Sequence, residues 1–118
     1  MPKYTSIMNL KTKTLNRNSS LFSTDETIVM GILNITKDSF YDGGKYINEK
    51  EILSKCKLML DEGASIIDIG AQSSRPVAIE SESRLELQKL LPTIKLLKNK
   101  FKNITISIDT FWANTAKE

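Results

Sequence analysis

Thr27-Ile28-Val29-Met30-Gly31-Ile32-Leu33 is an unbroken apolar run that gives way at once to Asn34 and a polar stretch reaching Ile47. A run this short and continuous reads as a strand buried on both faces of a parallel sheet. Two similar segments follow, Ser65–Ile69 (S-I-I-D-I) and Ile104–Ile108 (I-T-I-S-I). The chain between them is patterned for helices. Asn48 is placed to cap a helix, with Glu51 at its third position and Glu49 favourable near the positive end. Ile52, Cys56, Met59 and Leu60 then share one face as far as Glu62, and Gly63 suits the position just past the end. A second helix is predicted from Ser81 or Ser83 to Phe101, with a stripe of Leu87, Leu90, Leu91, Ile94, Leu97 and one polar member, Lys98. Pro92 inside it predicts a kink or break near Leu91. Trp112 opens a third helix. The alternation of strand and helix predicts an α/β fold with right-handed crossovers and a parallel sheet.

The chain has 118 residues, 40% apolar and 26% charged, which is one ordinary domain and no disordered polymer. One cysteine, Cys56, and no histidine exclude an intrachain disulfide framework. They speak against a zinc site built by this chain alone and exclude a Ser-His-Asp or Cys-His mechanism within it. No apolar run approaches the ~20 residues that cross a bilayer. Polar residues after Lys3 rule against a secretory signal, so the expected location is cytoplasmic, away from membranes. Residues 1–26 read as a polar leader with a short hairpin turning near Asn16-Arg17-Asn18, and residues 27–118 as the domain body. Lys3, Lys11, Lys13 and Arg17 put most of the +3 net charge in that leader. The body is nearly neutral and lacks a basic stripe with interleaved aromatics, which argues against nucleic acid as a partner. The third strand lacks the helix that should follow and cover it, so the sequence reads as a piece of a larger domain.

In parallel α/β proteins ligands meet the loops at the carboxyl ends of the strands. Three segments fall there: Asn34–Gly44, Gly70–Pro76 and Asp109–Thr110. Asn34 can offer an amide oxygen to a hard cation, or simply cap a turn. Ser73, Ser74 and Arg75 suit an anionic or planar ligand, and are also ordinary surface residues. Asp109 can accept hydrogen bonds from an amino-heterocycle, or cap a helix. Asp68 lies within a strand and needs partners there. No phosphate-binding glycine loop is present.

Together the three segments are more specific than any one. Met30-Gly31-Ile32-Leu33-Asn34-Ile35-Thr36-Lys37-Asp38-Ser39-Phe40-Tyr41-Asp42-Gly43-Gly44 resembles the first signature of the dihydropteroate synthases. Ile66-Ile67-Asp68-Ile69-Gly70-Ala71-Gln72-Ser73-Ser74-Arg75-Pro76 resembles their second, and Ile106-Ser107-Ile108-Asp109-Thr110 the end of their third strand. Order and spacing agree from Val29 to Ala116. The resemblance implies the N-terminal three β/α units of a (β/α)8 TIM barrel, incomplete in this chain. It implies an enzyme, homodimeric when whole, that joins p-aminobenzoate to a dihydropterin methyl diphosphate in folate biosynthesis with the help of Mg2+. By position Asn34 matches the residue contacting magnesium, Asp109 the carboxylate holding the pterin, and Ser74 and Arg75 a hydroxyl–guanidinium pair. Phe40 and Pro76 match residues enclosing p-aminobenzoate, and Asp42 belongs to the same first loop.

The sequence departs from the family pattern at Lys37 (usually Pro), Ala71-Gln72 (Gly-Glu), Ser74 (Thr) and Val77 (often Gly). A barrel of this kind needs roughly 250 residues, so later pterin- and anion-holding residues are missing and this chain alone is expected to be inactive. Two rival readings remain: a pterin-binding methyltransferase domain, and an inactive remnant or interaction module. Thr36–Phe40 (T-K-D-S-F) speaks against the methyltransferase.

Overall fold

A computed structural model of the chain describes residues 14–17, 20–23, 25, 27–35, 41–42, 46–71 and 80–118. The first described elements are an antiparallel pair, β1 (Thr14–Arg17) and β2 (Ser20–Ser23), paired from Arg17↔Ser20 to Thr14↔Ser23. A second, two-residue pair is β4 (Tyr41–Asp42) with β5 (Tyr46–Ile47); the turn expected at Asp42-Gly43-Gly44 lies beyond Asp42 outside the described residues.

The body is three parallel β/α units. Strands β3 (Met30–Asn34), β6 (Ile66–Gly70) and β7 (Ile106–Asp109) form one parallel sheet in the order β3-β6-β7. Helices α1 (Glu49–Asp61), α2 (Glu80–Lys100) and α3 (Ala113–Lys117) follow the successive strands. Each strand sits one to three residues later than the apolar runs predict. Val29, for instance, stands outside the ladder, its carbonyl accepting from the N–H groups of Ser65 (2.8 Å) and Ile66 (3.4 Å).

The ends of α1 follow the expected chemistry. The Asn48 side chain accepts from the Glu51 N–H (3.3 Å). At the other end Ala64 N–H reaches Met59 O (2.9 Å) and Gly63 N–H reaches Leu60 O (3.1 Å), the paired bonds of a Schellman motif. That motif needs a left-handed residue, and Gly63 supplies it at φ +105°.

α2 runs through Pro92 without the predicted break. Proline removes the N–H that would reach the Gln88 carbonyl, but Gln88 and Pro92 both lie on the exposed side, where water can serve that carbonyl. Next to the gap, Thr93 Oγ1 donates to Lys89 O (2.9 Å), satisfying a hydroxyl that is itself fully buried. The stripe also differs from expectation: Leu91 and Lys98 are exposed, while Ser83, Glu86, Leu90, Thr93 and Leu97 face the interior.

One face of the sheet carries the core. Leu33, Ile35, Ile67, Ile69 and Ala71 pack with Ile52 and Cys56 of α1 and Leu90 and Leu97 of α2. The other face has no covering layer among the described residues, and Met30 and Ile32 are 48% and 66% exposed on it. Among the described residues the first strand is covered on its helix side. Among the described residues no helix is long and apolar enough to cross a membrane.

Candidate functional site at the carboxyl edge of the sheet

The strand register decides which residues meet. Asn34 pairs with Gly70, and Gly70 with Asp109, so the last residues of all three strands form one row. Side chains alternate along a strand and align across a parallel pair, which puts this row on the uncovered face. Below it on the same face lie Ile32, Asp68 and Ser107.

Gly70 is the centre of the row and has no side chain. A methyl group placed there would stand 3.2 Å from Asn34 Oδ1 and 3.8 Å from Asp109 Oδ2. The amide oxygen and the carboxylate thus converge on one small space that any larger residue would fill. Both side chains are exposed, so a ligand approaching this edge meets an uncharged oxygen acceptor and a carboxylate side by side. That pair suits a ligand with N–H donors and a hard cation close together.

Each member of the row is held by the residue after it, which turns to the helix side. Ile35 is fully buried and its N–H reaches Gly70 O (2.8 Å). Ala71 is buried against the core. Thr110 is held by polar contacts: its hydroxyl donates to Glu86 Oε1 on α2 and accepts from Trp112 N–H (3.1 Å). Phe111 and Trp112 then meet edge to face, with ring centroids 5.7 Å apart.

Of the residues singled out in the sequence, Asn34 and Asp109 are thus brought together. Asp68 lies one step below them, half-buried. Asp42 lies on β4. Phe40, Ser74, Arg75 and Pro76 fall outside the described residues. Two residues of the site escaped the sequence reading. Gly70 reads as the first residue of a loop, though it ends the strand, and Glu86 falls outside the leucine stripe drawn for α2. Its spacing from Leu90, Thr93 and Leu97 puts it on the interior face of α2, which is the signal that finds it.

A three-unit parallel β/α sheet with polar residues gathered at its carboxyl edge defines a ligand-binding α/β protein of the barrel type. Residues 30–118 match the family described as pterin binding enzyme, and the chain belongs to that family. It is 43% identical over 100 residues to the dihydropteroate synthase of Bacillus subtilis, covering 85% of this chain and 35% of that protein. A crystal structure of dihydropteroate synthase from Clostridium difficile in the presence of pteroic acid superposes with a TM-score of 0.67 at 45% identity. That match covers 79% of this chain and 35% of the other. The dihydropteroate synthase of Xanthomonas albilineans with 4-aminobenzoic acid gives 0.69 at 32% identity, over 88% of this chain and 38% of its own. The chain therefore spans about a third of the length of these relatives, with dihydropteroate synthase homology over that part of the domain.

Proposed function

We propose that the protein carrying this chain makes 7,8-dihydropteroate from p-aminobenzoate and (7,8-dihydropterin-6-yl)methyl diphosphate, releasing diphosphate, as a step of folate biosynthesis. The observation that carries this reading is the convergence of Asn34 and Asp109 over Gly70 in a chain of the pterin-binding family. Solved relatives described with pteroic acid and with 4-aminobenzoic acid support it. A cytosolic setting fits the single, buried thiol of Cys56.

In that reaction the bond between the pterin methylene carbon and the diphosphate oxygen breaks. The aromatic amine forms a C–N bond to the same carbon and loses a proton. The site must hold an electron-poor pterin and an anionic leaving group with water kept out. Asp109 takes the pterin: its oxygens accept from amino and ring N–H donors, and its charge opposes the positive charge developing on the ring. Among the described residues no cluster of three or more His, Cys, Asp or Glu could cage a metal. Asn34 offers one neutral amide oxygen, which suits magnesium held mainly by water and substrate oxygens. When bound, that ion would neutralise charge on the departing diphosphate. Ser74 and Arg75 are assigned to the anionic groups, and Phe40, Pro76 and Asp42 to the aminobenzoate side of the site.

The test is Asp109→Asn in the full-length protein. One acceptor oxygen becomes a donor facing the ligand's own donors, so affinity for the pterin diphosphate should fall about ten- to a hundredfold in calorimetric titration. An affinity equal to that of the parent protein would break the assignment.

A further inference from the structure

The row at the carboxyl edge is anchored in two different ways. Asn34 and Gly70 are each followed by an apolar residue sunk into the core, Ile35 and Ala71. Asp109 is followed by Thr110, a polar residue, whose counterpart in the helix layer is also polar. Glu86 is 3% exposed, on the interior face of α2 between Ser83 and Leu90. A carboxylate in that position costs stability unless it is paired, and the Thr110 hydroxyl is a donor to it. The same hydroxyl accepts from Trp112 N–H, so one oxygen ties α2, the end of β7 and the start of α3.

We propose that Glu86 is a positioning residue for Asp109, acting through Thr110 to fix the aim of the pterin-facing carboxylate. Asp109 ends β7 on the face turned away from the helices, and the residue after it, Thr110, is fixed from the helix side by Glu86, so the backbone that Thr110 holds sets the direction of the carboxylate. The inference rests on the pterin reading of Asp109. Glu86 touches no substrate; it holds the residue beside the one that does.

The experiment uses the full-length protein with the pterin diphosphate as probe, titrated calorimetrically, and steady-state kinetics for both substrates. Thr110→Val removes the hydroxyl at nearly constant volume, and Glu86→Ala removes its partner. Each should weaken pterin affinity about tenfold and leave the KM for p-aminobenzoate within about twofold. The double variant should be no weaker than the worse single one, because both remove one link. Thr110→Ser, which keeps the hydroxyl, should restore the affinity. Equal losses for both substrates, or Thr110→Ser behaving like Thr110→Val, would overturn the proposal. If Asp109→Asn weakens pterin binding while Thr110→Val does not, this inference fails and the pterin reading stands. If Asp109→Asn has no effect either, the pterin reading falls and this inference with it.

Discussion

The two faces of the three-stranded sheet are made from alternate residues of the same short strands, yet they do opposite work. On the covered face Leu33, Ile67 and Ile69 are buried against α1 and α2. On the open face Asn34, Gly70 and Asp109 form the candidate site, with Asp68 and Ser107 beneath. A step of one residue along any strand passes from the element that stabilises the fold to the element that binds. The division lets the site carry polar residues, because its backbone is held from behind.

The largest effect should come from breaching the covered face. Ile67→Asp buries an unpaired charge and should abolish cooperative unfolding in the full-length protein. The milder Ile67→Ala should cost about 2–5 kcal/mol. Asp109→Asn, on the open face, should leave the melting midpoint close to that of the parent while ligand affinity falls. Equal midpoint shifts for Ile67→Ala and Asp109→Asn would erase the distinction between the faces.

Two glycines sharpen the same contrast. At Gly31, on the covered face, an added methyl would stand 2.7 Å from Met59 Sδ, 3.3 Å from Met59 Cβ and 3.2 Å from Ile67 Cδ1. Gly31→Ala should therefore cost about 1–3 kcal/mol through overpacking against α1, seen in denaturant unfolding. Gly70→Ala meets first the side chains of Asn34 and Asp109, at 3.2 and 3.8 Å. It should change stability less than Gly31→Ala and ligand affinity more.

Much of this was legible in the residues, and the failures have physical causes. Strand–helix order, the Asn48 cap and the Gly63 terminus follow from local chemistry, which short spacings report faithfully. The uncovered face does not, because Met30, Ile32 and Ile66 are as apolar as the core residues beside them, so alternation is invisible. Strand ends are fixed by register with neighbours, which is why Gly70 read as loop and its place between Asn34 and Asp109 was missed. On α2 the interior face includes Ser83, Glu86 and Thr93, so following leucines alone drew the stripe toward Leu91 and away from Glu86. Pro92 read as a break because the exposed position of the carbonyl it orphans depends on how the whole helix packs.

Cys56 gives the comparison a pH axis. Burial in the covered-face core pushes its thiol from the ordinary 9.0 up to about 11. The folded state then keeps a proton that the unfolded state loses. Stability from this group is complete below pH 9 and falls as pH rises through 11, by up to about 1.4 kcal/mol per unit. Cys56→Ala should flatten that slope in thermal melts taken across the window. An unchanged slope would mean that the thiol is not sealed in the core.

The smallest expected effect guards against a simpler explanation, that any exposed polar residue can be changed without harm to folding and that the open face is nothing more than surface. Lys57 and Asp61 on the outer side of α1 make an ion pair at 2.5 Å, both well exposed. They are one helical turn apart, and such pairs contribute about 0.3–0.5 kcal/mol in water, less at high salt. Lys57→Ala should shift the denaturation midpoint barely at all and leave pterin affinity unchanged. Asp109→Asn, at a residue that is also exposed, should be as mild on stability and severe on binding. What separates the two positions is then not exposure. It is the anchoring behind Asp109, where Thr110 and Glu86 give an exposed carboxylate a fixed direction, whereas Lys57 and Asp61 hold only each other. A loss of pterin affinity in Lys57→Ala comparable to that in Asp109→Asn would show that this distinction is wrong.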